Sequence, residues 1–351
     1  MSNLKKVFID GSAGTTGLRI RERLADRQDL EVVTLAEEVR KDVSARRDAL
    51  NAADVAFLCL PDAAAVEAVS LVENPDTVII DTSTAHRTAD GWEYGFPELA
   101  GRRARIASAK RIANPGCHAS GFVALVEPLV RAGLLSADVA LCATSLTGYS
   151  GGGKKMIAEY EEKLKSSEVE KLKSSDEGAA SANSSTLQLF NSSTLFLGGR
   201  QYALGQTHKH LPEMLKICGL STAPAFLPIV VPHYSGMEVT VPVFAKDLKG
   251  TVDDVKAVFR ASYGESTSVG GATVPVAQNG LVRFVEDPSE GGFLSSAKLS
   301  GKDTLEVSVY GNAERILLVS RFDNLGKGAS GAAIQNMNIV LGAPETTGLA
   351  L

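Results

Sequence analysis

A doubly wound parallel α/β sheet followed by a second, α+β domain is the fold this sequence predicts, on three observations. Four short apolar runs, Lys6–Asp10, Leu30–Leu35, Asp54–Leu60 and Val78–Asp81, alternate with helical segments, as parallel strands buried on both faces do. A glycine-rich turn joins the first run to the first helix. In the second half the runs AFLPIVVP, MEVTVPVFAK and LEVSVYGNAERILLVSRFD are longer and alternate, which suits a mixed or antiparallel sheet. At 351 residues the chain is too long for one typical domain.

The first turn reads Gly11-Ser12-Ala13-Gly14-Thr15-Thr16-Gly17 and leads into the helical LRIRERLADR. Glycines here let the backbone turn tightly and approach a pyrophosphate resting on the helix N-terminus. The G-x-x-G-x-x-G spacing departs from the common G-x-G-x-x-G, and a plain tight turn would use the same residues. As a Rossmann-type turn it makes all seven residues cofactor candidates. The second run carries no acidic residue directly at its end; Glu37 and Glu38 come later, followed by Arg40, Lys41, Arg46 and Arg47. A basic residue such as Arg46 can meet a ribose 2'-phosphate, which favours NADP; a solvated charged face is the alternative. The third run ends at Leu60-Pro61, before the helical AAAVEAVSLVE. The fourth is followed by Thr82-Ser83-Thr84-Ala85-His86-Arg87. Ligands of doubly wound sheets bind beyond the carboxyl ends of the strands. The glycine loop, Leu60, Pro61 and Ser83 are therefore expected to share one crevice.

Ile112-Ala113-Asn114-Pro115-Gly116-Cys117-His118-Ala119-Ser120-Gly121 reads as a strand end, a turn and the first turn of a helix. It brings Cys117 to the same crevice. A cysteine at a helix start meets unpaired N–H groups and the positive end of the dipole, which favour a thiolate nucleophile. A buried structural cysteine is the alternative. Cys59 and Cys142 lie within apolar runs and read as core. None of the four cysteines, Cys218 included, has metal-ligand spacing, so neither zinc nor a disulfide framework is expected.

After the helical LVEPLVRAGLLS, the strand DVALCATSLTG ends in Gly148-Tyr149-Ser150-Gly151-Gly152-Gly153-Lys154-Lys155. This loop is either an anion site of N–H groups, hydroxyl and lysine or a flexible connector. Two octad duplications follow, EKLKSSEV/EKLKSSDE and NSSTLQLF/NSSTLFLG. They are too few for a solenoid and read as a peripheral charged helix or loop plus a Ser/Thr-rich segment apolar enough to dock. The sequons at Asn183 and Asn191 carry little weight in a cytosolic chain. Tyr202 to Met214 holds His208 and His210 ahead of a proline-started helix. No third residue completes a metal site, and a general base or acid beside a thiolate fits better. TVDDVKAVFRASYG is a helix with Thr251 as N-cap and Asp254 three residues on. The chain closes with a glycine-rich run from Asp323 and the helix AAIQNMNIVLG, which either returns to the dinucleotide or packs closely.

The net charge of -5 and the scattered basic residues argue against nucleic acid. No apolar run reaches about 18 residues, so no membrane span is expected. The N-terminus runs into a strand with no signal-peptide apolar region, which points to the cytoplasm.

The segments FIDGSAGTTGLRI, DTSTAHR, NPGCHASG, TGYSGGGK, THKHLPE and DNLGKGASGAAIQNMN occur in this order over nearly the whole chain. In them the chain resembles the N-acetyl-gamma-glutamyl-phosphate reductases of arginine biosynthesis, in the superfamily of aspartate-semialdehyde dehydrogenase and glyceraldehyde-phosphate dehydrogenase. The resemblance implies a Rossmann domain over residues 1–117 and an α+β catalytic and dimerisation domain over 118–322. A C-terminal helix over 323–351 would return to the first domain. The octad-bearing block at about 160–198 is not expected in that family. NADPH would be the hydride donor. Cys117 would attack the acyl phosphate of N-acetyl-L-glutamyl 5-phosphate, and the thioester would be reduced to the 5-semialdehyde, with phosphate released. His210 would be the acid/base and His208 would help hold substrate. Asn114, Tyr149, Ser150, Gly151, Lys154 and Tyr202 would line the substrate site, with Ser150, Gly151 and Lys154 at its phosphate. Ser83 and Asn324 would join the glycine loop at the cofactor. A homo-oligomer, dimer or tetramer, is expected. An aspartate-semialdehyde dehydrogenase and a non-catalytic NADP-sensing regulator are the alternatives.

Overall fold

The computed structural model describes residues 4–176, 194–264 and 280–351. Its first part contains β1 (Lys5–Asp10), α1 (Thr15–Leu24), β2 (Leu30–Val33), α2 (Val43–Ala52), β3 (Val55–Leu58), α3 (Asp62–Ser70), β4 (Val78–Asp81), β5 (Glu93–Tyr94), α4 (Arg102–Ser108) and β6 (Arg111–Ala113). The six strands pair in parallel in the order β2-β1-β3-β4-β6-β5. Both faces are covered, which is why the strands read as unbroken apolar runs. Val7, Ile9, Val55, Phe57 and Ile80 face Ile20 and Leu24 of α1. Phe8, Ala56, Leu58 and Ile79 face Leu50, Ala65 and Ala68 of α2 and α3. The chain runs from β1 outward to β2 and then back to β3 on the other side of β1. The crevice of the sheet therefore opens where β1 and β3 end. The second and third strands stop two residues short of the apolar runs, at Val33 and Leu58, because the chain leaves the sheet there to form the crevice walls.

The second part contains α5 (Cys117–Arg131), β7 (Cys142–Gly148), α6 (Gly153–Asp176), β8 (Arg200–Gln201), α7 (Leu211–Cys218), β9 (Ala225–Val231), β10 (Met237–Phe244), α8 (Val252–Tyr263), β11 (Val282–Phe284), β12 (Leu305–Gly311) and β13 (Arg315–Phe322). Its seven strands form a mixed sheet ordered β11-β12-β13-β10-β7-β9-β8. In β10, Met237, Val239, Val241 and Val243 are buried while Glu238 and Thr240 between them are not, the period-two pattern of a sheet with one covered face. That face packs on Phe122 and Val126 of α5 and Phe259 of α8. Thr251 and Asp254 form the expected capping box at the start of α8.

The chain then makes a short π-helical turn, Gly326–Ser330, and ends in α9 (Gly331–Leu341). Ala333, Ile334, Met337 and Ile339 of α9 return to the core of the first sheet. The charged octads continue α6 as helix through Asp176. Residues 183–193 of the second duplication, with Asn183 and Asn191, lie outside the described residues. Its end docks: Phe196 meets the ring of Tyr160 edge-on at 4.9 Å. No helix among the described residues is long and apolar enough to cross a membrane.

Candidate active site

Cys117 is the first residue of α5, and Gly116 caps the helix without a side chain. Glycine is required at 116. A Cβ there would stand 2.3 Å from Arg87 Nη1 and 2.5 Å from His210 Nε2. The turn before Cys117 is anchored from several elements. Asn114 N–H donates to Asp81 O at 2.7 Å, Arg87 Nε donates to Asn114 O at 3.0 Å, and Asn114 Nδ2 donates to Ala329 O at 3.0 Å. Glu213 of α7, 1% exposed, accepts from Gly116 N–H at 2.8 Å, from Tyr94 OH at 2.8 Å and from Arg87 Nη1 at 3.2 Å. On the far side, a Cβ on Gly328 would stand 3.0 Å from Cys117 Cβ.

The helix start does not make Cys117 acidic, as the sequence suggested it would. Burial pushes its thiol up, and the pull of Arg87, of the His118 N–H and of Lys209 does not offset this. Cys117 therefore rests as a thiol and needs a base.

Three imidazoles cluster beside it. His208 and His210 ring centres are 4.8 Å apart, and His118 lies 5.4 and 5.5 Å from them. His118 is fixed by Ser145 Oγ at Nδ1 and by Tyr202 OH at Nε2, both at 2.7 Å. His210 N–H donates to His208 Nδ1 at 3.2 Å, so the neutral His208 ring, by that hydrogen bond, carries its proton on Nε2. Burial, helped by Lys209, pushes His208 down to about 4. Burial and then Arg87 hold His210 well below its usual range. His210 Nδ1 is buried with no hydrogen-bond partner among the described residues. A neutral imidazole, a thiol and a buried guanidinium thus meet at one turn. That arrangement places a candidate base and a fixed positive charge at the turn that carries the thiol.

A cavity of about 540 Å³ opens over Cys117. It brings together the expected Gly14, Thr15, Thr16, Leu60, Pro61, Ser83 and Asn324 with Asn114, Ser150, Gly151, Tyr202, His208 and His210. Ser83 is held by Asp81, through its N–H at 2.9 Å and its Oγ at 2.7 Å. Asn324 Nδ2 donates to Ser150 Oγ at 3.0 Å. Gly11, Ser12 and Ala13 border a second cavity of about 320 Å³. The glycine turn fits a dinucleotide. Gly11 has φ +82°, and a Cβ on it would stand 2.3 Å from Cys59 O; a Cβ on Gly17 would stand 2.4 Å from Gly11 O. The turn is therefore pressed against β3 and α1. Gly14 caps α1 without a side chain, which leaves its first N–H groups to an anion. Cys59 borders the main cavity too, but burial pushes it up to about 12.

Arg46 lines the second cavity with Gly11, Ser12 and Ala13, but it is buried and paired with Asp10 at 3.0 Å and Glu67 at 2.9 Å, so its charge is already matched beneath the glycine turn. Two expected residues stand elsewhere. Tyr149 does not line the cavity over Cys117: its ring stacks on Tyr160 at 4.9 Å, among Phe196 and Val230. Lys154 lines a third cavity with Ser12, Arg21 and Arg40. Sequence reasoning did not single out Arg87, His118, Lys209, Tyr94 or Glu213. Most stand inside motifs it quoted, but spacing does not tell which way a side chain points.

Comparison with known proteins identifies the family. A family model described as the semialdehyde dehydrogenase NAD-binding domain matches residues 6–109, and one described as the semialdehyde dehydrogenase dimerisation domain matches residues 171–324. An N-acetyl-gamma-glutamyl-phosphate reductase 2 of Nostoc sp. is 40% identical over 352 residues, covering 99% of this chain and 100% of the relative. An N-acetyl-gamma-glutamyl-phosphate reductase of Brucella ovis is 43% identical over 343 residues, covering 96% and 99%. In fold, the chain is similar to aspartate semialdehyde dehydrogenase II of Vibrio cholerae, with TM-score 0.66 at 19% identity over 97% of this chain and 99% of that one. It is likewise similar to the Francisella tularensis aspartate semialdehyde dehydrogenase, with TM-score 0.67 at 14% identity over 96% and 100%. The chain belongs to the N-acetyl-gamma-glutamyl-phosphate reductase family.

Proposed function

We propose that this protein is a cytoplasmic, NADPH-dependent reductase of arginine biosynthesis that converts N-acetyl-L-glutamyl 5-phosphate to N-acetyl-L-glutamate 5-semialdehyde and phosphate. The observation that carries this reading is the meeting of Cys117, His210 and Arg87 at one turn, inside the cavity that the glycine turn also lines. His210 takes the thiol proton. The Cys117 sulfur then bonds to the acyl carbon, the bond from that carbon to the phosphate oxygen breaks, and phosphate departs with its electron pair. Arg87 supplies a fixed positive charge, because Asn114, Thr82 and Glu213 hold it. Lys209, on the same cavity, is the cation for the departing phosphate. His208 Nε2–H helps hold the substrate, and the first N–H groups of α5 are donors to the carbonyl oxygen as it gains charge. NADPH, when bound, supplies the hydride that reduces the acyl carbon. The thiohemiacetal so formed on Cys117 then collapses: the carbon–sulfur bond breaks, the semialdehyde leaves, and His210 returns its proton to the Cys117 sulfur.

The same reading takes residues 1–117 as the cofactor domain, 118–322 as the catalytic domain and 323–351 as a returning helix. It takes the assembly as a dimer or tetramer, which the dimerisation-domain match supports. The test runs the reaction in reverse: phosphate-dependent NADP reduction with N-acetyl-L-glutamate semialdehyde, beside L-aspartate semialdehyde. Turnover of the acetylated substrate is expected to dominate. Equal or greater turnover of aspartate semialdehyde would reject the substrate assignment, and no turnover of either would favour a non-catalytic NADP-binding protein.

A further inference from the structure

We propose that Lys154, carried by the second domain, is a specificity-determining residue for the 2'-phosphate of the adenosine ribose, so that a phosphorylated dinucleotide is gripped by both domains at once. The inference rests on the reading of this protein as an NADP-dependent reductase.

The third cavity, about 590 Å³, borders the glycine turn at Ser12 and Ala13. Its floor is Thr34-Leu35-Ala36, the continuation of β2, and Ser12 and Ala13 form the edge it shares with the glycine turn. In a doubly wound sheet the adenosine ribose lies at the end of this strand. Three cations line the cavity: Arg21 from α1, Arg40 from the segment after β2, and Lys154 from the first turn of α6. Glu37 is the carboxylate among its described lining residues, and it pairs with Arg40 at 2.5 Å. Three positive charges against one negative match a phosphate monoester, largely dianionic at neutral pH, and leave a bare ribose hydroxyl with an unmatched cationic wall. Arg46, one of the basic candidates after β2, is already matched by Asp10 and Glu67.

Lys154 reaches this wall because of the glycines before it. Gly153, at φ +73°, turns the chain into α6 against the glycine turn of the first domain, where a Cβ on it would stand 3.9 Å from Thr15 Oγ1. The next residue, Lys154, lines the cavity that Ser12 and Ala13 also line, and its exposed side chain acts as a mobile point charge.

The test compares wild type with Lys154→Met and Lys154→Arg. Binding of adenosine 2',5'-bisphosphate and of 5'-AMP is measured by calorimetry, beside KM for NADPH and for NADH. Lys154→Met is expected to weaken the bisphosphate and NADPH about tenfold, the loss of one charged hydrogen bond, while 5'-AMP and NADH change less than about twofold. Lys154→Arg, which keeps the charge, is expected to retain the preference, and the melting temperature of both variants is expected to stay at the wild-type value. Equal weakening of phosphorylated and unphosphorylated ligands, or no effect of Lys154→Met, overturns the inference while leaving the cofactor assignment standing. A wild type that binds both bisphosphate and 5'-AMP equally overturns the NADP assignment and the inference with it.

Discussion

Glu213 is the residue whose removal tests the site most sharply. It is 1% exposed and faces the buried Arg87. In Glu213→Ala the guanidinium stays charged and loses its counter-ion, which in buried pairs costs about 3–5 kcal/mol. Arg87 keeps Asn114 O and Thr82 O, each at 3.0 Å, which favours the lower end. Gly116 N–H and Tyr94 OH lose their acceptor at the same time, which pushes the cost back up, so a loss of roughly 4 kcal/mol is expected. Glu213→Gln keeps an oxygen for Gly116 and Tyr94 and loses only the charge, for about 2 kcal/mol. Urea unfolding followed by the single tryptophan, Trp92, reads this well, since Trp92 stacks on His86 at 4.0 Å. The midpoints should fall in the order wild type, Gln, Ala at unchanged slope. A second readout separates site from scaffold. The Glu213 carboxylate raises the Cys117 thiol pKa and Arg87 lowers it. In Glu213→Gln the pH midpoint of Cys117 alkylation should therefore move down. A midpoint that rises, or a Gln variant as stable as wild type, would refute the reasoning.

Three further outcomes are expected. Gly116→Ala places a methyl 2.3 Å from Arg87 Nη1 and 2.5 Å from His210 Nε2; kcat should fall about a hundredfold with KM little changed, and a wild-type kcat would show that this turn does not position the chemistry. His210→Asn should lower kcat by about 10²–10⁴-fold, whereas His208→Asn should act more on KM; the reverse split in steady-state kinetics would exchange their roles. His208 protonates near 6.5 when unfolded but near 4 when folded, so the unfolded chain takes the proton first and stability drains away as pH falls through that window. The urea midpoint should drop between pH 7 and 5, less steeply in His208→Asn, and identical slopes in the two proteins would contradict the assignment.

Much of this was legible because it is local. A strand buried on both faces must be apolar along its length, so Val7–Ile9 and Val55–Leu58 stand out from the chain. A strand with one covered face must alternate, as β10 does. A capping box needs only Thr251 and Asp254, three residues apart. A cysteine two residues past a proline, at the head of an apolar helix, marks itself in the same way. Tyr94 and Glu213 meet across 119 residues, and Arg87 and Glu213 across 126. No pattern within one segment carries that information.

The sequence by itself determined the two-domain α/β and α+β architecture, the glycine turn, the position of Cys117 at a helix start and the family. Each of these is written in short-range periodicity and backbone chemistry. Only the tertiary structure decided that Arg46 is matched beneath the turn, that Tyr149 belongs to an aromatic cluster, that Lys154 lines a cavity with Ser12, Arg21 and Arg40 and that Glu213 anchors the turn before Cys117. It also decided that the Cys117 thiol is raised rather than lowered. The reason is the same throughout: charge, burial and side-chain direction are set by what the fold brings alongside a residue, and those neighbours come from distant parts of the chain.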